Sequence, residues 1–295
     1  MISKIVGNYL IKKGIINPEQ FSELSEEMKK VRVKLGLIAV AEGMMSQDQA
    51  DRVNRLQAVM DMRFGDIAVS KGYLTEGQVE ELLKKQGNPY LALAQAMENL
   101  GIMNVSQLDE YMKQYQKENE LSNSSMEDLK SNDIDRVLPL LLPAEATSYL
   151  NIAGVALRTI MRCVDNDVLP MKAYYATSME ADNGAMQYVD GNVPVTVAAA
   201  GKGQALLPTA SYFGKEDFEQ VDRDALDAIG ELINCIDGLY ASALSQQRIE
   251  MELCPPEFSD EISGFFGEEM LIFPMQVRGE TIHFVFAINK KLEMR

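Results

Sequence analysis

The chain has 295 residues, enough for two or three domains, and its 46% hydrophobic and 24% charged composition is that of a soluble globular protein. A formal charge of −16 argues against nucleic acid as a main partner, because phosphate contacts need concentrated Lys and Arg. One histidine and no Cys-x-x-Cys pair leave no zinc set, and no apolar run reaches membrane-spanning length, so neither a metal of its own nor membrane insertion is expected.

Met1 to Lys13 carries polar residues at helical spacing and does not read as a secretory leader. The three thiols, Cys163, Cys235 and Cys254, are too few and too oddly numbered for a disulfide framework. They are expected to be reduced and mostly buried, and the protein cytoplasmic.

Residues 1 to 117 repeat with a period of 29. Gly14, Gly43, Gly72 and Gly101 are in register, as are Gly7, Gly36, Gly65 and the matching Ala94. Three residues after each of the first set stands Asn17, Ser46, Thr75 or Asn104, followed three later by Gln20, Gln49, Gln78 or Gln107. This is a reciprocal helix cap written four times. Each unit reads as a short helix stopped at glycine and then a longer amphipathic helix, giving an all-α domain of about eight helices.

Lys34-Leu35-Gly36 through Gln57, then five residues, then Arg63-Phe64-Gly65 through Gln86, resembles the tandem motif of MshEN domains. Those domains stand at the N-termini of type II secretion and type IV pilus ATPases, and many bind cyclic di-GMP. The resemblance implies a cyclic di-GMP site built from Lys34, Leu35, Gly36 and Gln57 of one motif and Arg63, Phe64, Gly65 and Gln86 of the next. Lys34 stands where Arg is usual, and a lysine cannot grip a guanine edge through two parallel hydrogen bonds. Phe64 replaces Leu, and Ile5 and Ala92 take the basic position in the outer repeats. A second reading stays open: every unit needs the same turn and cap, which accounts for the recurring glycines and internal glutamines but not for Gln57 and Gln86.

Residues 118 to 143 include Ser122-Asn-Ser-Ser125 and mixed charges, and read as a linker in which any helix is short. Pro139 and Pro143 bracket an apolar patch. From about Ala144 a helix follows, with Tyr149-Leu150, Ala153, Leu157 and Ile160 at helical spacing. Strands are predicted at 173–177 and 193–199, the latter turning at Gly201-Lys202-Gly203 into a hairpin partner at Gln204 to Pro208. After a long helix come strands at 249–253, 270–277 and 281–288, the last two joined at Arg278-Gly279-Glu280. The protein is thus expected to be multidomain: an all-α helical repeat domain (1–117), a linker (118–143), and an α+β domain (144–295) with helices on one face of an antiparallel sheet.

The long helix runs from Asp224 to Gln246 and is entered through Asp222 or Asp224. Leu226, Ile229, Ile233, Ile236 and Tyr240 gather on one side, and Asp227, Glu231, Asn234 and Gly238 form a narrow stripe on the other. Around that stripe the residues are small (Ala228, Gly230, Gly238, Ala241), where a stability-optimised surface would carry Glu, Lys and Arg. A glycine-edged strip with a carboxylate and a carboxamide a turn apart suits docking of another macromolecule.

The run Asp227-x-x-x-Glu231-x-x-Asn234, with Cys254-Pro255-Pro256 downstream, resembles the signature helix and the strand-ending proline pair of the CheC/CheX/FliY phosphatases of bacterial chemotaxis, CheX most of all. The resemblance spans about residues 145 to 295. It implies a CheX-like domain acting on the phospho-aspartate of a CheY-like response regulator, which brings its own Mg²⁺, so that no cofactor of this chain is needed. Asn234 would position water through its oxygen or its nitrogen. Glu231 would pair with the regulator's lysine and seat Asn234, and Asp227 and Gly238 would assist docking. Relatives are often dimers, and the strand through Ile288 offers an edge for a homodimer. The alternative is a non-enzymatic adaptor that binds a regulator or cyclic di-GMP.

Overall fold

In the computed structural model, which describes residues 1–57 and 62–295, the glycine period of the first half becomes a period of helix pairs. They are α1 (Ile2–Lys12) with α2 (Pro18–Met28), α3 (Leu35–Ala41) with α4 (Gln47–Gln57), α5 (Phe64–Ser70) with α6 (Glu76–Lys84), and α7 (Pro89–Asn99) with α8 (Val105–Glu118). Gly14, Gly43, Gly72 and Gly101 end the first helix of each pair at φ of 69°, 67°, 68° and 68°. A side chain is strained in that left-handed region, so the same residue returns at each turn. The second helix of each pair opens on the reciprocal cap: Asn17 with Gln20, Thr75 with Gln78 and Asn104 with Gln107, while Ser46 and Gln49 exchange bonds of 2.8 and 3.2 Å. Ile2, Val6, Leu10, Leu24, Ile38, Ile67, Leu82 and Leu93 are fully enclosed and form the core of this unit. Four of the five residues between Gln57 and Arg63 lie outside the described residues.

The stretch expected as a linker is more ordered than its composition suggests. Asn123–Ser131 forms α9, started by Ser122 Oγ accepting from the Ser125 amide at 3.1 Å, and it buries Met126 and Leu129. Ile134–Leu141 forms α10, with Val137 and Leu138 buried. From Ile2 onward the chain divides into two compact units between Asp133 and Ile134, inside that stretch. A two-turn helix needs only one apolar pair at i,i+3, too little to stand out in a polar segment.

In the second unit a 3₁₀ turn at Ala146–Tyr149 leads into α11 (Leu150–Cys163). Then follow β1 (Leu169–Pro170), β2 (Tyr174–Met179), β3 (Asn183–Gly191), β4 (Val195–Gly201), α12 (Leu207–Gly214) and α13 (Arg223–Ser245). The chain closes with β5 (Met251–Leu253), β6 (Glu257–Ser259), β7 (Phe265–Val277), β8 (Glu280–Ile288) and β9 (Leu292–Met294). Among the described residues nine strands make one antiparallel sheet ordered β1-β7-β8-β4-β3-β5, with β2 and β9 also on β7 and β6 on β3.

Directly opposed residues point to the same face. Gln187, Val197, Phe286 and Leu271 therefore form one row across β3, β4, β8 and β7, while Ala198, Val285 and Ile272 face the other way into a second apolar cluster. The fold is an all-α first unit followed by an α+β unit with helices on one face of its sheet.

Two strand expectations are corrected. The strand through Ile288 is no edge: β8 pairs with β4 on one side, Val195↔Ile288 included, and with β7 on the other. Residues 204–208 do not pair with β4; the chain turns at Gly203 (φ 55°) and enters α12, with Pro208 in its first turn, where a missing N–H costs no hydrogen bond. The hairpin partner of β4 is β3, registered from Asn183↔Gly201 to Val189↔Val195 and not anticipated from the sequence. Between β7 and β8 the turn carries Arg278 and Gly279 at φ 49° and 94°, the pair of left-handed residues that suits a tight hairpin. No helix among the described residues is long and apolar enough to cross a membrane.

Candidate functional site

Helix α13 starts where Asp222, in extended conformation, accepts hydrogen bonds at 3.1 Å from the amides of Asp224 and Ala225. Its rotation is set by the enclosed residues Leu226, Ile229, Leu232, Ile233 and Ile236. The opposite stripe is consequently open: Asp227 and Glu231 are exposed, and Asn234 and Gly238 are half-buried. Asn234 Nδ2 points towards Glu231 Oε2 at 3.5 Å, a long contact that leaves both groups available to a visitor.

The carboxamide of Asn234 is held from below by a residue that sequence reasoning missed. Gln187 is only 1% exposed and projects from β3 in the same register as the buried Ala185 and Val189. Its Nε2 donates to Asn234 Oδ1 at 2.9 Å and to the Cys254 carbonyl at 2.7 Å. The Cys254 amide donates to Tyr188 O at 3.0 Å. Pro255 and Pro256 have no N–H to continue the ladder, and pairing on β3 resumes only at β6. The available signal was the alternation Ala185-x-Gln187-x-Val189, which places a glutamine at a core position.

Two expectations are corrected here, one about this helix and one about the thiols. Gly230 is buried, and a Cβ built on it would stand 3.3 Å from Pro256 Cβ, so its smallness serves packing inside the unit and not a visiting partner. Gly238 has nothing within 4 Å of such a Cβ and remains open. Nor are the thiols mostly buried: Cys163 and Cys235 are exposed and Cys254 intermediate, all three free. Cys235 lies four residues after Glu231 and so shares its wet side; partial burial, then Cys163 and Glu231, push its thiol pKa up.

Asp237, also unanticipated, is fully enclosed with no hydrogen-bond partner on either carboxylate oxygen, and burial raises its pKa well above the carboxylate range.

In the first unit, Lys34, Leu35, Gln57, Arg63, Phe64, Gly65 and Gln86 line one groove of about 790 Å³. Gly36 lies behind it, with the Phe64 ring 2.9 Å from where its Cβ would be. Arg32, which the sequence did not single out, adds a third cation, against one carboxylate from Asp66. Gln86 Nε2 donates to Val33 O at 3.0 Å and Gln57 Nε2 to Met62 O at 3.5 Å, so both closing glutamines also tie backbone turns.

No protein-family model and no curated protein matches the chain. Among solved structures it is similar to the chemotaxis protein CheX from Desulfovibrio desulfuricans, at 16% identity and a TM-score of 0.41 over 48% of this chain and 98% of that one. It is also similar to a chain of the CheX–CheY–BeF₃–Mg²⁺ complex from Borrelia burgdorferi (18% identity, TM-score 0.38, 47% and 95% covered). Thermotoga maritima FliY matches at 15% identity and a TM-score of 0.35, with 48% and 87% covered.

Proposed function

We propose that this protein is a phosphatase that removes the phosphoryl group from the phospho-aspartate of a CheY-like response regulator. The observation that carries this is the pair Glu231 and Asn234, one turn apart on the open side of α13, with Asn234 braced from beneath by Gln187. An acyl phosphate is already activated, and the regulator supplies the Mg²⁺ that neutralises its phosphoryl oxygens. What the phosphatase must add is a water held in line with phosphorus. A carboxamide fixed at one end can hold it without acting as a strong base. The new P–O bond forms to that water, the bond to the aspartate oxygen breaks, and inorganic phosphate leaves the regulator's free carboxylate. Glu231, exposed beside Asn234, supplies the negative charge that attracts the regulator's active-site lysine, and Asp227 and Gly238 extend the contact strip.

The test is direct. A CheY-like receiver domain phosphorylated with a small phosphodonor should lose phosphate faster when this protein is added, and Asn234→Ala should return the decay to its spontaneous rate while leaving binding near normal. Glu231→Ala should weaken both. Binding without acceleration by the wild-type protein would instead establish the adaptor alternative. A regulator of this kind is cytoplasmic, and under this proposal so is the phosphatase, alone or as a homodimer.

For the first unit, cyclic di-GMP is the ligand we propose, in keeping with the MshEN-like repeats. Support comes from the groove: Arg32, Lys34 and Arg63 line it together with Leu35, Phe64 and Val79, in a chain whose net charge is −16. Cations and apolar side chains sharing one groove suit a dianionic ligand with flat bases. Titration calorimetry with cyclic di-GMP should give heat that Arg63→Ala removes, and absence of heat with the wild-type protein rejects the ligand.

A further inference from the structure

A backbone carbonyl can only accept, and this simple fact orients three groups in series. Cys254 O stands 2.7 Å from one end of the Gln187 side chain, so that end is the amino group. The same amino group lies 2.9 Å from one end of the Asn234 side chain. Its second N–H must meet an acceptor there, and that end of Asn234 is therefore the oxygen. Both N–H groups of Gln187 are then used, and Asn234 is left with Nδ2 outward, on the side of Glu231. The carbonyl is free for this role because Pro255 and Pro256 interrupt the strand ladder after Cys254.

The arrangement has a visible cost. Gln187 Oε1 is buried without a hydrogen-bond partner. An orphaned acceptor at a position with apolar residues on either side in the register calls for a reason other than stability. An apolar residue of the same size would fill the space between β3 and α13 equally well, but it would leave the Asn234 carboxamide free to turn over.

We infer that Gln187 and the Cys254 carbonyl form a positioning relay that fixes the Asn234 carboxamide with its N–H₂ outward, so that Asn234 meets the reacting water or phosphoryl oxygen as a hydrogen-bond donor. The acceptor oxygen of Asn234 is engaged inside the protein. The group it serves must accordingly offer a lone pair. The kinetic consequence rests on the phosphatase reading; the orientation itself does not.

Two measurements on the full chain separate these parts. The first is exchange with water of the side-chain amide protons of Gln187 and Asn234, in ¹⁵N-labelled wild-type protein assigned with Gln187→Met and Asn234→Ala. The Gln187 protons should exchange at least about tenfold more slowly than those of Asn234, as buried donors do. Equal protection, or slower exchange at Asn234, overturns the orientation whatever the protein does to a regulator. The second uses Gln187→Met, which keeps the volume and removes both donors. Its Kd for a beryllofluoride-loaded receiver domain should stay within about twofold, while dephosphorylation at saturation falls at least about tenfold, the split expected when only alignment is lost. An unchanged saturating rate in a folded Gln187→Met protein overturns the positioning role. If that variant does not fold, the exchange experiment on the wild type still decides the orientation. Slow Gln187 exchange in a protein that leaves phosphorylated receiver domains untouched would keep the relay and discard the phosphatase.

Discussion

Gly230 lies beneath Pro256, whose Cβ is 3.3 Å from the place a side chain on Gly230 would begin, whereas two turns further along the same helix Gly238 has nothing within 4 Å. Two glycines of one helix therefore have opposite reasons to be glycine.

Substitution should separate them. Gly238→Ala relieves the poor helix propensity of glycine and should stabilise the protein by about 0.5–1 kcal/mol. Gly230→Val forces α13 away from Pro256 and Phe258 and should cost about 1–3 kcal/mol through overpacking. Urea denaturation of the two variants beside wild type checks both signs. If Gly238 admits a partner's backbone, Gly238→Ala should also bind a CheY-like receiver domain more weakly, in spite of its greater stability.

Asp222 caps the start of α13. Its side chain satisfies two amides that otherwise lack partners, so Asp222→Ala should destabilise the second unit by about 1 kcal/mol. Asp222→Ser or Asp222→Asn should recover most of that loss. Denaturant midpoints of the three variants provide the check.

For Asp237, the sign of the pH dependence follows from its burial. The folded-state pKa is raised by desolvation, so the folded protein holds this proton more tightly than the unfolded chain does. The associated stability is fully present below the unfolded pKa and is lost as pH rises through the folded value. Asp237→Leu removes a carboxyl that has no hydrogen-bond partner, and should raise stability at neutral pH by about 1–3 kcal/mol. The difference between wild type and variant should widen from acid to neutral pH; a constant difference would contradict this account.

Cys235 reports on the same surface as Glu231. Its thiol is raised by partial burial first, and then by Cys163 and Glu231, so thiolate is scarce at neutral pH and alkylation should accelerate at higher pH than for a free cysteine. In a Cys163→Ser background, Glu231→Gln should shift that acceleration to lower pH by removing the adjacent negative charge. Mass spectrometry of iodoacetamide-treated protein across the pH range measures it, and a receiver domain seated on α13 should protect the thiol.

What the sequence made legible follows from the strength of each local constraint. The repeats could be read because a left-handed turn admits glycine and a reciprocal cap needs two specific side chains three apart. The rotation of α13 could be read because its apolar stripe is continuous over six turns. β3 could not: Gly184, Ala185, Asp190 and Gly191 have poor strand propensity, and its pairing with β4 is decided by tertiary packing. Gln187 was missed along with β3: its alternation with Ala185 and Val189 signals burial only once the strand is recognised, and its partners Asn234 and Cys254 are distant in sequence. Cys235 was misjudged from residue type, although its offset of four from Glu231 places it outside. In the run before Pro208 the apolar residues are too few to distinguish strand from helix.

The two prolines between β5 and β6 also shape the edge of the sheet. They split the margin of the sheet beyond β3 into two pieces of three residues each. A foreign polypeptide aligning itself there would find no continuous row of backbone donors and acceptors to template on. That flank is a poor template for strand addition, and so a poor start for runaway edge-to-edge polymerisation.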